Sequence, residues 1–181
     1  MSGMAIEFRR ATRADLNDLI DLALSDMPER PDAASDATGV QCDRLDRQDR
    51  REIEFVVAEH KGKLVGQLVL RWPGQPDRRA FADIEELRVL PSYRGQGVGT
   101  EMMAYVEWVC MRERIDQIGV ALDPATHSDL MAWFERMDYV RTGEPYAVDD
   151  PGPCDHRDAP RVRRDAGGAP QVVRVDMVKE L

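Results

Sequence analysis

The chain has 181 residues, 43% of them hydrophobic, enough to bury one sizeable core as a single domain over 1–181 without disulfide or metal staples. Its formal net charge of -9 argues against nucleic acid, whose phosphates demand a basic surface, and is compatible with cationic substrates. No apolar run approaches the roughly 18 residues of a membrane span and no signal-peptide pattern is present, so a cytoplasmic protein without membrane contact is expected.

Met4 to Ala11 reads as a first strand. Thr12, with Asp15 three residues on, resembles a capping box that starts a helix whose Leu16, Leu19, Ile20, Ala23 and Leu24 fall at helical spacing. Asp26 to Arg50 carries seven acidic and four basic residues, with Asp43/Arg47 and Asp46/Arg50 at i,i+4 spacing on a short helix. Such a pattern is usually a solvated face. Ile53 to His60 and Leu64 to Trp72 flank Lys61-Gly62-Lys63 as a hairpin, and Phe81 to Leu90 is the next strand. Val98, Met102, Val106, Val109 and Cys110 form the buried face of a following helix. Ile118, Val120 and Leu122 alternate as a strand, Leu130 to Met137 is a helix, and Tyr139 to Val148 and Gln171 to Lys179 are the last strands. Between those two, residues 149–170 hold four prolines and three glycines and read as a flexible loop or an oligomer contact, which suits strand exchange in a homodimer. Cys42, Cys110 and Cys154 are an odd number without C-x-x-C spacing, and Cys154 with His156 is too small a donor set, so no metal is expected.

Arg94-Gly95-Gln96-Gly97-Val98-Gly99 joins the Phe81 to Leu90 strand to its helix. The first N–H groups of a helix lack intrahelical partners and sit at the positive end of the peptide dipoles, so a phosphate satisfies both. The glycines permit close backbone approach and positive φ, and Arg94 adds a planar cationic fork. Thr100 stands where the dinucleotide fingerprint needs a third glycine, no Gly-Lys-Ser/Thr is present, and the chain's lysines are Lys61, Lys63 and Lys179, which fits neither a Walker loop nor a kinase loop.

What is left is R-x-x-G-x-G, preceded by Leu87-Arg88-Val89 and Pro91. It resembles the acetyl-CoA motif of the GNAT superfamily of N-acyltransferases, and the order of elements over most of the chain is similar to that family's. The resemblance implies an α/β (α+β) fold, with a mixed, mostly antiparallel sheet of about six to seven strands and about four flanking helices. It implies acetyl-CoA as cosubstrate, held by Leu87 and Val89 along the pantetheine arm and by Arg94, Gly95, Gln96, Gly97, Val98, Gly99 and Thr100 at the pyrophosphate. The Val89 N–H would polarise the acyl carbonyl across a splay between this strand and the one around Val120. The region of Asp26 to Arg50 would form one wall of the acceptor site, an acidic wall for an amine.

Period two puts Asp83, Glu85, Leu87 and Val89 on one strand face, and Ile84, Glu86 and Arg88 on the other, unless a bulge shifts the register. In the resembling family the Glu85 and Asp83 positions often face the acceptor, and Glu85 is the expected base that deprotonates the amine. The alternative is that Glu85 or Glu86 only pairs with Arg88 or another arginine. A second motif departs from the family: Phe134 stands where a tyrosine is often proposed to protonate the leaving thiolate, His127 or Thr126 replaces an asparagine, Leu130 an alanine and Asp138 a glycine. Tyr146 or His127 could stand in for the tyrosine if the fold brings either near the sulfur. The expected function is N-acetyl transfer from acetyl-CoA to a small-molecule or peptide amine by direct attack in a ternary complex. The alternative is a catalytically weak or inactive acyl-CoA-binding sensor.

Overall fold

The computed structural model describes residues 5–25, 33–73, 80–149 and 171–181. Strand β1 (Glu7–Arg10) leads through the 3₁₀ turn Arg13–Asp15 into α1 (Leu16–Leu24). The capping box forms as its residues require: the Thr12 N–H donates to Asp15 Oδ2 at 2.7 Å, and Thr12 is extended. Helix α2 (Ala33–Asp49) precedes the hairpin β2 (Ile53–His60) and β3 (Lys63–Arg71). Lys61 and Gly62 both take positive φ, 50° and 76°, which matches the twist of a two-residue hairpin turn. Then come β4 (Ala82–Val89), α3 (Val98–Arg112), β5 (Gln117–Leu122), α4 (Ser128–Glu135), β6 (Val140–Asp149) and β7 (Gln171–Glu180). Cys154, His156 and the rest of 150–170 lie outside the described residues.

The seven strands form one sheet in the order β1-β2-β3-β4-β5-β7-β6, antiparallel everywhere except between β4 and β5. Two apolar layers cover it. Val56, Leu68, Leu70, Ile84, Val120 and Met177 face α3 and α4, where Met102, Val106, Cys110 and Phe134 complete one core. Phe55, Val57 and Val69 face the other way, against Leu19 and Leu22 of α1 and Leu45 of α2. The expected face of α3 is buried throughout, and Tyr139 is core, as its apolar setting demands.

The parallel β4–β5 pairing is short. It runs from Ala82↔Ile118 through Asp83↔Gly119 to Ile84↔Val120 and stops, while β4 continues to Val89 with β3 the only strand beside it among the described residues. The sheet therefore opens between its two middle strands. At the closed end, Gly119 fixes how near β4, β5 and β7 approach, since a Cβ there would lie 2.6 Å from the Phe81 ring and 2.8 Å from the Met177 carbonyl oxygen. Gly119→Ala is expected to lower stability by about 1–3 kcal/mol through overpacking against a backbone atom that cannot rotate away. The urea midpoint measures this, and an unchanged midpoint would show that the strands can part there at no cost.

Candidate active site

The upper half of β4 borders the opening, and its register is the first thing that sequence periodicity misplaced. Glu86 pairs with Val69 but Ile84 pairs with Leu70, so Glu85 is an extra residue, a bulge on β4. Partners across a ladder share a face. Glu86 thus lies on the Val69 side, toward α1 and α2, and Leu87, opposite Leu68, lies toward α3. Asp83, Glu85, Glu86 and Arg88 all share the α2 side, and Leu87 and Val89 leave it. The expected grouping of Leu87 and Val89 with the two acids is corrected: unbroken period two fails at the bulge.

The bulge stacks three carboxylates against guanidinium groups. Both Arg47 Nη atoms donate to Glu85, each at 3.0 Å, and Arg71 Nη1 stands 3.3 Å from the same carboxylate. Arg71 also donates to Asp83 at 2.5 Å. Glu86 accepts from Arg44, from Gln67 at 2.6 Å and from Arg88 at 3.4 Å. Arg88 donates in addition to the Ala23 carbonyl at 2.8 Å, one of the last carbonyls of α1. Both glutamates therefore pair with arginines, Glu85 with Arg47 and Arg71 and Glu86 with Arg44 and Arg88.

The acidic wall expected from Asp26 to Arg50 is reversed where it is described. Helix α2 turns Arg44 and Arg47 toward β4 and its acids outward, Asp46 and Asp49 to Arg13 at 2.6 and 2.8 Å. An i,i+4 pattern alone does not say which charge of each pair faces the protein.

The backbone of β4 is equally ordered. Successive residues in an antiparallel pair turn their N–H alternately toward and away from the partner. The Leu90 N–H donates to Val65 on β3 at 2.9 Å, so the N–H groups of Val89 and Leu87 point away from β3, into the opening. The Val89 carbonyl accepts from Arg94 Nε at 2.9 Å, which ties the end of β4 to the loop. Gln96 Nε2 closes that loop on the Ser92 carbonyl at 2.7 Å. The Arg94 and Gln96 side chains thus also shape the loop whose backbone amides are expected to meet the phosphate.

Gly97 is the N-cap of α3 at φ 89°, with no side chain among the described residues capping the helix, and Gly95 sits at φ 71°. Gly99 packs within 3.6 Å of Trp133 and 3.9 Å of Val89, measured from where its Cβ would be. The start of α3 is thereby pressed to the mouth of the opening with its first-turn amides uncapped. This fits the pyrophosphate of a CoA thioester: the residues expected there, Gly95 to Thr100, supply donors and lack side-chain bulk at the glycines.

The second motif is fully placed. Phe134 is 1% exposed, its ring packed edge-on between Trp133 and Tyr139. The Tyr139 hydroxyl donates to Glu107 at 3.0 Å; burial, with the Glu107 charge beside it, pushes that phenol far above its usual range. His127 occupies the N-cap position of α4, exposed, with Thr126 Oγ1 2.9 Å from its Nδ1. The Tyr146 hydroxyl donates to Asp176 at 2.7 Å, on the side of β7 that faces away from Val175 and Met177. Asp176 went unread in the sequence because its strand offered only alternation, no motif. Among the described residues no group of three or more His, Cys, Asp or Glu could hold a metal, and no helix is long and apolar enough to cross a membrane.

A mixed sheet that opens between its parallel strands, with an uncapped glycine-rich helix start at the opening, defines an acyl-CoA-dependent transferase fold. Residues 16–139 match the Acetyltransferase (GNAT) family, and the chain belongs to it. It is 31% identical over 97 residues to S-(2-succino)cysteine N-acetyltransferase of Bacillus subtilis (strain 168), covering 52% of this chain and 59% of that protein. To S-alkylcysteine N-acetyltransferase of the same organism it is 27% identical over 141 residues, covering 75% and 76%. The crystal structure of PaiA N-acetyltransferase from Thermoplasma acidophilum, in complex with coenzyme A, superposes with a TM-score of 0.65 at 15% identity over 98% of this chain and all of that one. At that identity the likeness is one of fold.

Glu86 gives the arginine layer a measurable signature. Burial alone would raise its pKa, but the charge and hydrogen bond of Arg44, with Arg88 and Gln67, outweigh burial and hold it down to about 2. A depressed folded-state value stabilises the fold above the unfolded pKa, so this contribution is full above about pH 4.5 and is lost as pH falls toward about 2. Glu86→Gln is expected to cost about 3–5 kcal/mol at neutral pH and to flatten the acid limb of stability against pH. Denaturant titrations at pH steps across that window measure both, and an unaltered acid limb would dissociate Glu86 from it.

Proposed function

We propose that this protein is an acetyl-CoA-dependent N-acetyltransferase whose acceptor is the amine of a small amino acid derivative, with an S-substituted cysteine as the first candidate. The observation that carries the reading is the opening above Ile84 and Val120, into which the Leu87 and Val89 N–H groups face and at whose mouth α3 starts, with Glu85 two residues before Leu87 on the same strand. The acceptor class rests on the two curated relatives, both named for N-acetylation of cysteine S-conjugates, and on an arginine-lined face suited to an acceptor that carries a carboxylate.

When bound, the thioester supplies an activated acetyl group. The amides of Gly95 to Thr100 hold the pyrophosphate, and the β4 backbone holds the pantetheine arm. Glu85 takes the proton of the ammonium directly or through water, which leaves a lone pair on nitrogen to form the C–N bond as the C–S bond breaks. Of the two N–H groups facing the opening, Leu87 lies two residues from Glu85 and Val89 four, about 7 and 13 Å along a strand. The shorter span suits a donor and a base that serve one reacting carbon, so we assign the carbonyl to the Leu87 N–H and the arm to Val89. Asp83, bound to buried Arg71 below Glu85, acts by holding that arginine in place.

Glu85→Gln is expected to lower kcat by about 10²- to 10⁴-fold with acetyl-CoA affinity unchanged. Calorimetric titration with acetyl-CoA and a thiol-release assay over an amine panel test this together. Acetyl-CoA binding without turnover of any amine would leave the protein as a sensor of acyl-CoA. Gly97→Glu, which forces a left-handed φ on a residue that carries a Cβ and sets a carboxylate at the helix start, is expected to abolish binding of acetyl-CoA, and retained affinity would mean that the cradle lies elsewhere.

A further inference from the structure

The proposed base does not stand ready. Both Glu85 oxygens receive an Arg47 Nη, and Arg71 adds a third guanidinium contact, a fork-on-fork pair that occupies the oxygens an ammonium would have to reach. Arg47 is itself mostly buried, 13% exposed, whereas the Glu85 side chain it holds is 24% exposed. Its second acidic neighbour, Glu52, stands at 3.6 Å and is held more closely by Arg50 at 2.7 Å. Arg71 keeps Asp83 whatever Glu85 does. The group whose place in this cluster can be exchanged is therefore Glu85, and the fork it occupies has the shape of a carboxylate.

We propose that Arg47 is the receptor for the acceptor's own carboxylate, and that this carboxylate displaces Glu85 from the Arg47 fork and so frees it to deprotonate the amine beside it. The proposal rests on the N-acetyltransferase reading above and makes Arg47 a specificity and positioning residue in it. The exchange conserves charge: one carboxylate leaves the guanidinium as another arrives, so no ion is left buried alone. One proton then passes from the ammonium to a Glu85 oxygen, the nitrogen lone pair attacks the acyl carbon, the C–S electron pair leaves on sulfur, the second nitrogen proton passes to the thiolate as the amide forms, and the Glu85 proton returns to solvent. An amine without a carboxylate binds no fork and meets a clamped base.

The test compares S-methylcysteine with methylthioethylamine, which differ only in the α-carboxylate, in wild type, Arg47→Gln and Arg47→Lys. Wild type is expected to prefer the amino acid in kcat/KM by roughly ten- to hundredfold. In Arg47→Gln the amino acid is expected to lose that factor mainly in KM while kcat for the plain amine rises, since its base then keeps only the longer Arg71 contact. Propionate added in trans is expected to speed wild-type acetylation of the plain amine and to do nothing for Arg47→Gln, with Arg47→Lys between them. Equal kcat/KM for the two acceptors in wild type, or an equal loss for both in Arg47→Gln with no propionate effect, would overturn the exchange and leave the transferase reading standing. Silence toward both acceptors and toward every other such pair, in a protein that binds acetyl-CoA, would remove that reading and the exchange with it.

Discussion

The parting of β4 from β5 beyond Ile84 and Val120 is the constraint on which the rest of the site depends. Two adjacent parallel strands normally satisfy each other's backbone along their whole length, and leaving one half unpaired costs hydrogen bonds unless something else takes them. Here the Val89 carbonyl is taken by Arg94, and the N–H groups of Leu87 and Val89 are left to whatever enters the opening. The closed half explains how the strands can part without the sheet failing. Gly119 lets Phe81 and the β7 backbone close tightly on β5, so the pivot is rigid where the pairing ends.

The bulge at Glu85 converts this opening from a backbone feature into one with a charged wall. By adding one residue it sends Leu87 and Val89 to the apolar α3 face and gathers Asp83, Glu85, Glu86 and Arg88 on the side of α2. A half-buried layer of ion pairs contributes little net stability, because desolvation offsets much of the Coulomb gain. What it fixes is position. Arg44 and Gln67 fasten Glu86, so the strand cannot slip by a residue without stranding a buried charge, and Glu85 next to it is left as the more exposed and more exchangeable member.

The fold was largely legible because its signals are local. The R-x-x-G-x-G turn, the Thr12 and Asp15 cap, the Lys61-Gly62 hairpin and the buried stripe of α3 each follow from residues within one or two turns of chain. The sense in which charges face was not legible. Whether α2 offers Asp46 or Arg47 to β4 depends on which side of the helix meets Phe55 and Val69, a contact made across the sheet. The parity of β4 depends on one unpaired residue that hydrophobic alternation cannot signal, since Glu85-Glu86 looks polar in either register. Nor does the sequence show that the Arg94 and Gln96 side chains bond the Val89 and Ser92 carbonyls and so shape the loop.

The altered second motif gains a physical reading from the same structure. Asp138 stands where the resembling family has glycine, and it adopts φ 68°, so the backbone demand of that position persists and is met at a cost of about 1–2 kcal/mol by a residue that tolerates the left-handed region better than most. The frame of the motif is therefore intact, and the loss of the tyrosine hydroxyl at Phe134 is a chemical change rather than a structural one. Phe134 is sealed between Trp133 and Tyr139, and Trp133 in turn packs on Gly99 at the start of α3. The helix that would have carried the acid instead braces the helix start that faces the opening. A thiol with an ordinary pKa of about 8.5 leaves tolerably as thiolate near neutrality, so the reaction can forgo an acid more easily than it can forgo a base. In the proposed reaction that asymmetry places the control of catalysis on Glu85 and on whatever releases it from Arg47.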